Sequence, residues 1–251
     1  MTAPVFLADG GELADALRSG GGTVVLEGPE GRHAVSVKRL RPGEEVVLTD
    51  GAGAGVAGTV ENVSGKDRLE VAVTSVRTEA EPRPLITVVQ ALPKGDRGEL
   101  AVEMLTETGA DRIVPWAASR CVTQWRGERG AKSLRKWRSA AREAGKQARR
   151  LRFPEVADLA TTAQVARVLR DAELGAVLHE EGGEVLSAAE LPADGGIVLV
   201  VGPEGGVAPE ELASFEEAGA LSYRLGPTVL RTSTAGTAAT ALLMARSGRW
   251  S

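Results

Sequence analysis

Hydrophobic and polar positions follow two different rhythms along the chain, and the change from one to the other divides it. Between residues 23 and 77 short β-type runs succeed one another: TVVLEG, HAVSV, EEVVLTD, GVAGTVENV and RLEVAVTSV. The turn signals RPGE, DGAGAG and SGKD separate them. Strands this short and this regularly punctuated predict a small barrel or sandwich, and the alternation of LEVAVTSV predicts a strand with one wet face. EAEPRP at 79–84 then breaks the pattern, and its two prolines and mixed charge predict a linker.

Beyond the linker the pattern is α/β. LITVVQAL, RIVPW, GAVLHEE, GIVLVVG and SYRLG predict strands. DRGELAVEMLTETGA (closed by Gly109), a basic segment, PEELASFEEAG and TAGTAATALLMARSG predict helices. Continuous apolar strands joined by helical crossovers predict a mostly parallel sheet covered on both faces. In the basic helix Leu134, Trp137, Ala141, Ala144, Ala148 and Leu151 step by three and four as an apolar stripe. Arg135, Arg138, Arg142, Lys146 and Arg149 step the same way beside it.

With 251 residues, 43% apolar and 25% charged, the composition suits one large or two small globular domains. Cys121 is the only cysteine, which excludes an internal disulfide, and His33 and His179 are the only histidines, so no metal site is expected. The opening MTAPVFLADGGEL lacks a basic start and an apolar core, and no apolar run approaches ~18 residues. A soluble, cytoplasmic protein with no membrane partner is expected. The net charge of −4 conceals a strong asymmetry. Residues 126–152 hold 11 Lys and Arg against 2 Asp and Glu, a local charge of +9, whereas residues 153–251 hold 6 against 14, or −8. A solvated face is one reading of the basic helix. However, like charges at i,i+4 destabilise a helix by ~0.2–0.5 kcal/mol per pair, and phosphates of a nucleic acid would relieve that repulsion.

Two glycine loops carry the candidate chemistry. In IVLVVGPEGGVAPEE an apolar strand ends at Gly202, crosses Gly205 and Gly206, and meets Pro209 at a helix start. A phosphate loop needs Lys and then Ser or Thr after its last glycine, and here Val207 and Ala208 stand there. Glu204 would repel a triphosphate, and the G-x-x-G-G spacing is not that of a dinucleotide fingerprint. Either the loop is a tight turn without a ligand, or its ligand is neutral or positive overall. In the second loop, LGPTVLRTSTAGTA, Pro227 pins the turn, Arg231 supplies a cation, and Thr232, Ser233 and Thr234 can cap the last helix. A shorter echo of the first loop, EGPEG, lies at Glu27–Gly31.

GPEGG after a buried strand, followed by LGPTVLRTSTA, resembles the SPOUT class of S-adenosylmethionine-dependent RNA methyltransferases, and more closely the 16S ribosomal RNA uridine-N3 methyltransferase family (RsmE). The resemblance extends over nearly the whole chain. His33 to Arg39 sits in an H-x-x-x-V-x-R setting. Lys94, Glu107, Gly109, Pro115, Ser119 and Arg120 match one block, and Glu143, Gln147, Arg150 and Pro154 another. It implies a PUA-like RNA-binding β-barrel over residues 1–78, the linker 79–84, and an α/β SPOUT domain with a trefoil knot over 85–251, in a homodimer. It also implies a cofactor cleft built from Leu178, His179 and Glu180, from Gly202, Pro203, Glu204 and Gly205, and from Leu225, Gly226, Leu230 and Thr232. RNA contacts are implied for His33 and Arg39 and for Arg120, Arg135, Arg138, Arg142, Lys146, Arg150 and Arg152.

The implied reaction moves the methyl group of S-adenosylmethionine to uridine 1498 of 16S rRNA in the assembled 30S subunit. An acidic glycine-lined pocket suits a sulfonium cation. A cation near the uracil oxygens would stabilise the developing uridinate. Arg231 is the candidate, with Arg120 and Arg150 next, although a salt bridge or phosphate clamp would suit Arg231 equally. The family's last loop often reads L-R-x-E-T-A, and Ser233 replaces the acid. The proton then goes to water or to a carboxylate such as Glu204. Asn62 is the only asparagine, and it lies in the N-terminal part. The ribose 2′-O-methyltransferases of the class share an early Asn-bearing motif, so base methylation is the better match. The alternative is a non-catalytic RNA-binding ribosome-assembly factor that has kept the fold.

Overall fold

The computed structural model describes residues 3–8 and 10–250, which form two compact units. One comprises the residues up to Glu81 together with Gly145–Phe153, and the other Pro82–Ala144 with the residues from Pro154 onward. Among the described residues no helix is long and apolar enough to cross a membrane.

The first unit contains β1 (Val5–Leu7), α1 (Gly11–Ser19), β2 (Thr23–Leu26), α2 (Gly28–Arg32), β3 (Glu45–Thr49), β4 (Ala54–Ser64) and β5 (Arg68–Thr78). Its sheet runs β1-β3-β4-β5-β2 and is antiparallel except where β1 joins β3. Register breaks at Ala57/Gly58 and Val60/Asn62 bend the long β4–β5 ribbon, which closes over Phe6, Leu48, Leu69 and Val71. The alternation expected of LEVAVTSV holds at Leu69 and Val71 and fades toward Val76, which is exposed.

HAVSV is not a strand. The echo GPEG opens α2, and the chain continues as a π-helical run over His33–Val37. Gly31 makes this possible, because a Cβ there would lie 1.9 Å from the Asp67 carbonyl oxygen and 2.6 Å from that of Leu26. Over five residues a buried helical turn and a short strand share the same apolar spacing, so periodicity alone could not separate them.

The second unit contains β6 (Leu85–Ala91), α3 (Arg97–Thr108), β7 (Arg112–Trp116), α4 (Gly127–Gln147), β8 (Glu155–Val156), α5 (Thr162–Arg170), β9 (Leu174–Leu178), β10 (Glu184–Val185), β11 (Gly196–Val201), α6 (Pro209–Glu217), β12 (Leu221–Arg224) and α7 (Thr232–Arg246), with the last residues of α4 counted in the first unit. Seven strands form one sheet in the order β10-β12-β9-β11-β6-β7-β8, and every pairing is parallel. Ile86, Leu105, Ile113, Trp116, Leu199, Phe215 and Leu243 are fully buried in its core. Gly236 lets α7 lie close to this core, since a Cβ there would meet Val201, Gln90 and Leu105 at 3.2–3.3 Å.

The apolar stripe of α4 is shorter than its sequence spacing. Trp137, Ala141 and Ala144 are buried, but the helix ends at Gln147. Arg149 turns left-handed (φ 59°) and the Arg150 N–H bonds the Gly145 carbonyl at 3.0 Å, a Schellman closure. Ala148 is therefore exposed, and Leu151 leaves the stripe to pack with Val5 and Val47 in the first unit. No glycine marks this stop, which is why the periodicity ran past it.

Candidate active site

β12, β9 and β11 are neighbours in the parallel sheet, so their carboxyl ends lie side by side. In open parallel sheets ligands bind beyond these ends. The three loops that follow the strands enclose a cleft of about 600 Å³. It is lined by Leu178, His179 and Glu180 from the first loop, by Gly202, Pro203, Glu204 and Gly205 from the second, and by Leu225, Gly226, Leu230, Arg231 and Thr232 from the third. Arg120 reaches it from the segment after β7. Positions from 178 to 232 are thus brought to one concavity by strand adjacency, and Arg120 joins them through its bond to the Gly205 carbonyl.

Backbone geometry explains the glycines. A Cβ on Gly202 would stand 2.8 Å from the Val207 Cγ2, and Gly206 adopts φ 75° as its N–H closes a tight turn onto the Pro203 carbonyl at 2.9 Å. Glu204 is held by the Lys94 backbone N–H, which donates to its Oε1 at 3.1 Å. The Arg120 Nη1 donates to the Gly205 carbonyl at 3.1 Å, placing a guanidinium beside the loop. His179 is fixed by the Glu181 N–H, which donates to its Nδ1 at 3.2 Å. The cleft therefore carries the carboxylates Glu180 and Glu204 together with the cations Arg120, Arg224 and Arg231.

The hydroxyl run does not cap α7 as expected. Arg231 occupies the cap position, and the Thr234 hydroxyl donates back to the Arg231 carbonyl at 3.1 Å. Thr232 and Ser233 are already inside the first turn and buried. Buried Cys121 follows Arg120, and desolvation pushes its thiol above the ordinary range, with Glu211 and Glu204 adding smaller electrostatic contributions in the same direction. A thiol held protonated is a poor nucleophile.

Sequence reasoning missed Glu211, the third residue of α6. Its carboxylate is buried and accepts from the Ser119 N–H (2.8 Å), the Thr162 hydroxyl (3.0 Å) and the Ala208 N–H (3.2 Å). The signal was available, since Pro followed by acids at a helix start is a capping pattern. The unanticipated α5 carried one too: Thr161 and Gln164 form a capping box.

The basic positions separate by environment. Arg135 and Arg142 are exposed on α4. Arg138 is exposed but donates to Asp158 at 2.9 Å and to the Val156 carbonyl at 3.1 Å. Lys146 departs from expectation: it is buried, and its ammonium is bound to Glu30 at 2.6 Å, so it adds nothing to an exposed cationic face. In the first unit Arg150 and Arg152 are half-buried and donate to the carbonyls of Arg152 and Glu79 at 2.8 and 3.3 Å. His33 is half-buried and edge-on to Phe6 at 5.7 Å, and Arg39 is exposed.

Comparison with known proteins agrees with this architecture. Residues 80–244 match the RNA methyltransferase domain, and residues 26–74 match the RNA methyltransferase PUA domain. The chain is 46% identical over 240 residues to the ribosomal RNA small subunit methyltransferase E of Mycobacterium bovis, covering 94% of this chain and 91% of that protein. It is 29% identical to the Bacillus subtilis protein of the same name, covering 85% and 86%. A ribosomal RNA small subunit methyltransferase E from Neisseria gonorrhoeae, bound to S-adenosyl methionine, superposes with a TM-score of 0.83 at 28% identity over 98% of both chains. A putative methyltransferase from Legionella pneumophila with bound SAM gives 0.84 at 28% identity, also over 98% of both. The expected likeness is met over nearly the whole chain, and the chain belongs to the ribosomal RNA small subunit methyltransferase E family.

Proposed function

We propose that this protein, an S-adenosylmethionine-dependent rRNA methyltransferase, methylates N3 of a uridine in the 16S rRNA of the assembled 30S subunit, the uridine 1498 that the family likeness implies. The observation that carries the reading is the single cleft at the carboxyl ends of β12, β9 and β11, walled by glycine and proline backbone and carrying two carboxylates without a phosphate-loop lysine. The residues present fit the cofactor. A Cβ at Gly202 would stand 2.8 Å from Val207 and one at Gly205 3.1 Å from Arg120, so the loop keeps bare backbone at the cleft. Beside Arg120, Arg224 and Arg231 the carboxylates Glu180 and Glu204 offer a sulfonium its counter-charge.

When bound, S-adenosylmethionine supplies an electrophilic methyl on a sulfonium. The chain's own work is positioning and exclusion of water, which suits an in-line displacement. Arg231 and Arg120 project cations into the cleft and offset the negative charge that develops on the uracil oxygens. Ser233 is buried in α7, so the N3 proton goes to water or to Glu204, whose Oε1 is already engaged by Lys94. Arg135, Arg138 and Arg142 on α4, with His33, Arg39, Arg150 and Arg152 in the first unit, hold the RNA backbone.

The same reading places the enzyme in the cytoplasm with its ribosomal substrate. It also gives a homodimer and a trefoil knot in the second unit, for which the chain path in a crystal structure is the test. For the reaction, labelled methyl from S-adenosylmethionine should enter 30S particles from cells lacking the enzyme, and mass mapping should place it on N3 of one uridine. Transfer to a ribose or another base, or no transfer by folded protein, would overturn the assignment.

A further inference from the structure

We infer that Glu211 is the positioning residue for Arg120, and that it acts on RNA methylation through that guanidinium without touching either substrate. Three chain segments distant in sequence converge on this one buried carboxylate. Its Oε1 receives the Ser119 N–H at 2.8 Å and the Thr162 hydroxyl at 3.0 Å, and its Oε2 receives the Ala208 N–H at 3.2 Å. Thr162 is itself oriented by the Trp116 indole, which donates to its hydroxyl at 3.2 Å. Ser119 immediately precedes Arg120, whose Nη1 donates to the Gly205 carbonyl. Ala208 lies three residues after Gly205, with Gly206 and Val207 between them. Both ends of the Arg120–Gly205 contact are thus tied, through backbone, to the two oxygens of Glu211.

An amide cannot replace this carboxylate. The two backbone N–H groups point at different oxygens, so one of them faces an NH2 in either orientation of a glutamine. A buried donor left unpaired costs more than the average hydrogen bond contributes, and the segment is expected to shift to satisfy it. The orphaned N–H is that of Ser119 or that of Ala208, so the shift reaches the Arg120–Gly205 contact from one end or the other, while the Gly206 N–H still closes the turn of the cofactor loop onto the Pro203 carbonyl.

The inference rests on the reading that RNA meets Arg120 at the mouth of the cleft. The test is a double-mutant cycle of Glu211→Gln and Arg120→Ala, with methyl transfer to unmodified 30S particles and calorimetric binding of S-adenosylhomocysteine as readouts. Glu211→Gln should lower kcat/KM for 30S roughly tenfold to a hundredfold, the scale of one hydrogen bond to a charged group. Its cofactor affinity should stay within about threefold, and it should have little further effect in the Arg120→Ala background. Glu211→Asp, which keeps the charge but loses reach, should show the same pattern at smaller size and serves if the glutamine variant does not fold. Additive losses, or a fall in cofactor affinity matching the fall in kcat/KM, would show a purely structural role and overturn the inference. Failure of the wild-type protein to methylate 30S would instead count against the functional reading.

Discussion

At the scale of single residues, the cleft is decided by where a side chain cannot be. Gly205 has no need of a left-handed backbone, yet a Cβ on it would stand 3.1 Å from the Arg120 Cβ and 3.3 Å from the Arg120 carbonyl oxygen. A β-branched residue meets both at once. Gly205→Val should therefore weaken S-adenosylhomocysteine binding by roughly tenfold or more, the affinity equivalent of about 1.4 kcal/mol, while thermal melting shifts by only a few degrees. Unchanged affinity by calorimetry would move the cofactor away from this loop. The glycines stand out in the sequence because several fall together where an apolar strand stops, and Arg231 because it is a lone cation in the loop before α7. Glu211 does not stand out. An acid in the first turn of a helix is common, and only the folded chain shows that its carboxylate is buried under Ser119 and Thr162.

Elements are legible to the extent that their apolar period is long. Five of the seven strands of the parallel sheet, with α3, α6 and α7, follow the apolar runs closely, because a strand buried on both faces admits little else; the two-residue strands β8 and β10 at the sheet edges are too short to leave a pattern and were not expected. HAVSV and the end of α4 went the other way, since five residues do not distinguish periods and a left-handed Arg149 in place of glycine gives no stop signal. The exposed face of α4 keeps Arg135 and Arg142 one heptad apart, clear of the ion pairs that occupy Arg138 and Lys146. Replacing both with alanine should weaken RNA binding at all sequences alike and reduce the slope of log K against log salt by about two, one for each lost phosphate contact. Cofactor affinity should not change. Filter binding over a salt series would measure it, and an unaltered slope would return these arginines to the role of a solvated face.

For the whole molecule, Val122, Val229 and Leu230 leave large apolar side chains in water, two of them in the third loop of the cleft. A second copy of the chain covering them would bury apolar surface that is otherwise costly to expose. Light scattering should then give about twice the 26.1 kDa of one chain, and a single-chain mass at micromolar concentration would exclude the dimer. Composition and pattern by themselves determined the two rhythms of the chain, the parallel sheet, the lone basic segment and the two glycine loops, because each is written in residues close together. The family likeness added the cofactor. It also implied that three loops share one cleft, which strand adjacency in the sheet brings about. Tertiary structure alone decided that Lys146 is bound to Glu30 and withdrawn from the basic face, that Gly145–Phe153 belongs with the N-terminal unit, and that Glu211 joins Ser119 to Ala208. Local sequence sets which backbone states are accessible. Strand order and burial between distant segments set which side chains meet, and no local pattern encodes those meetings.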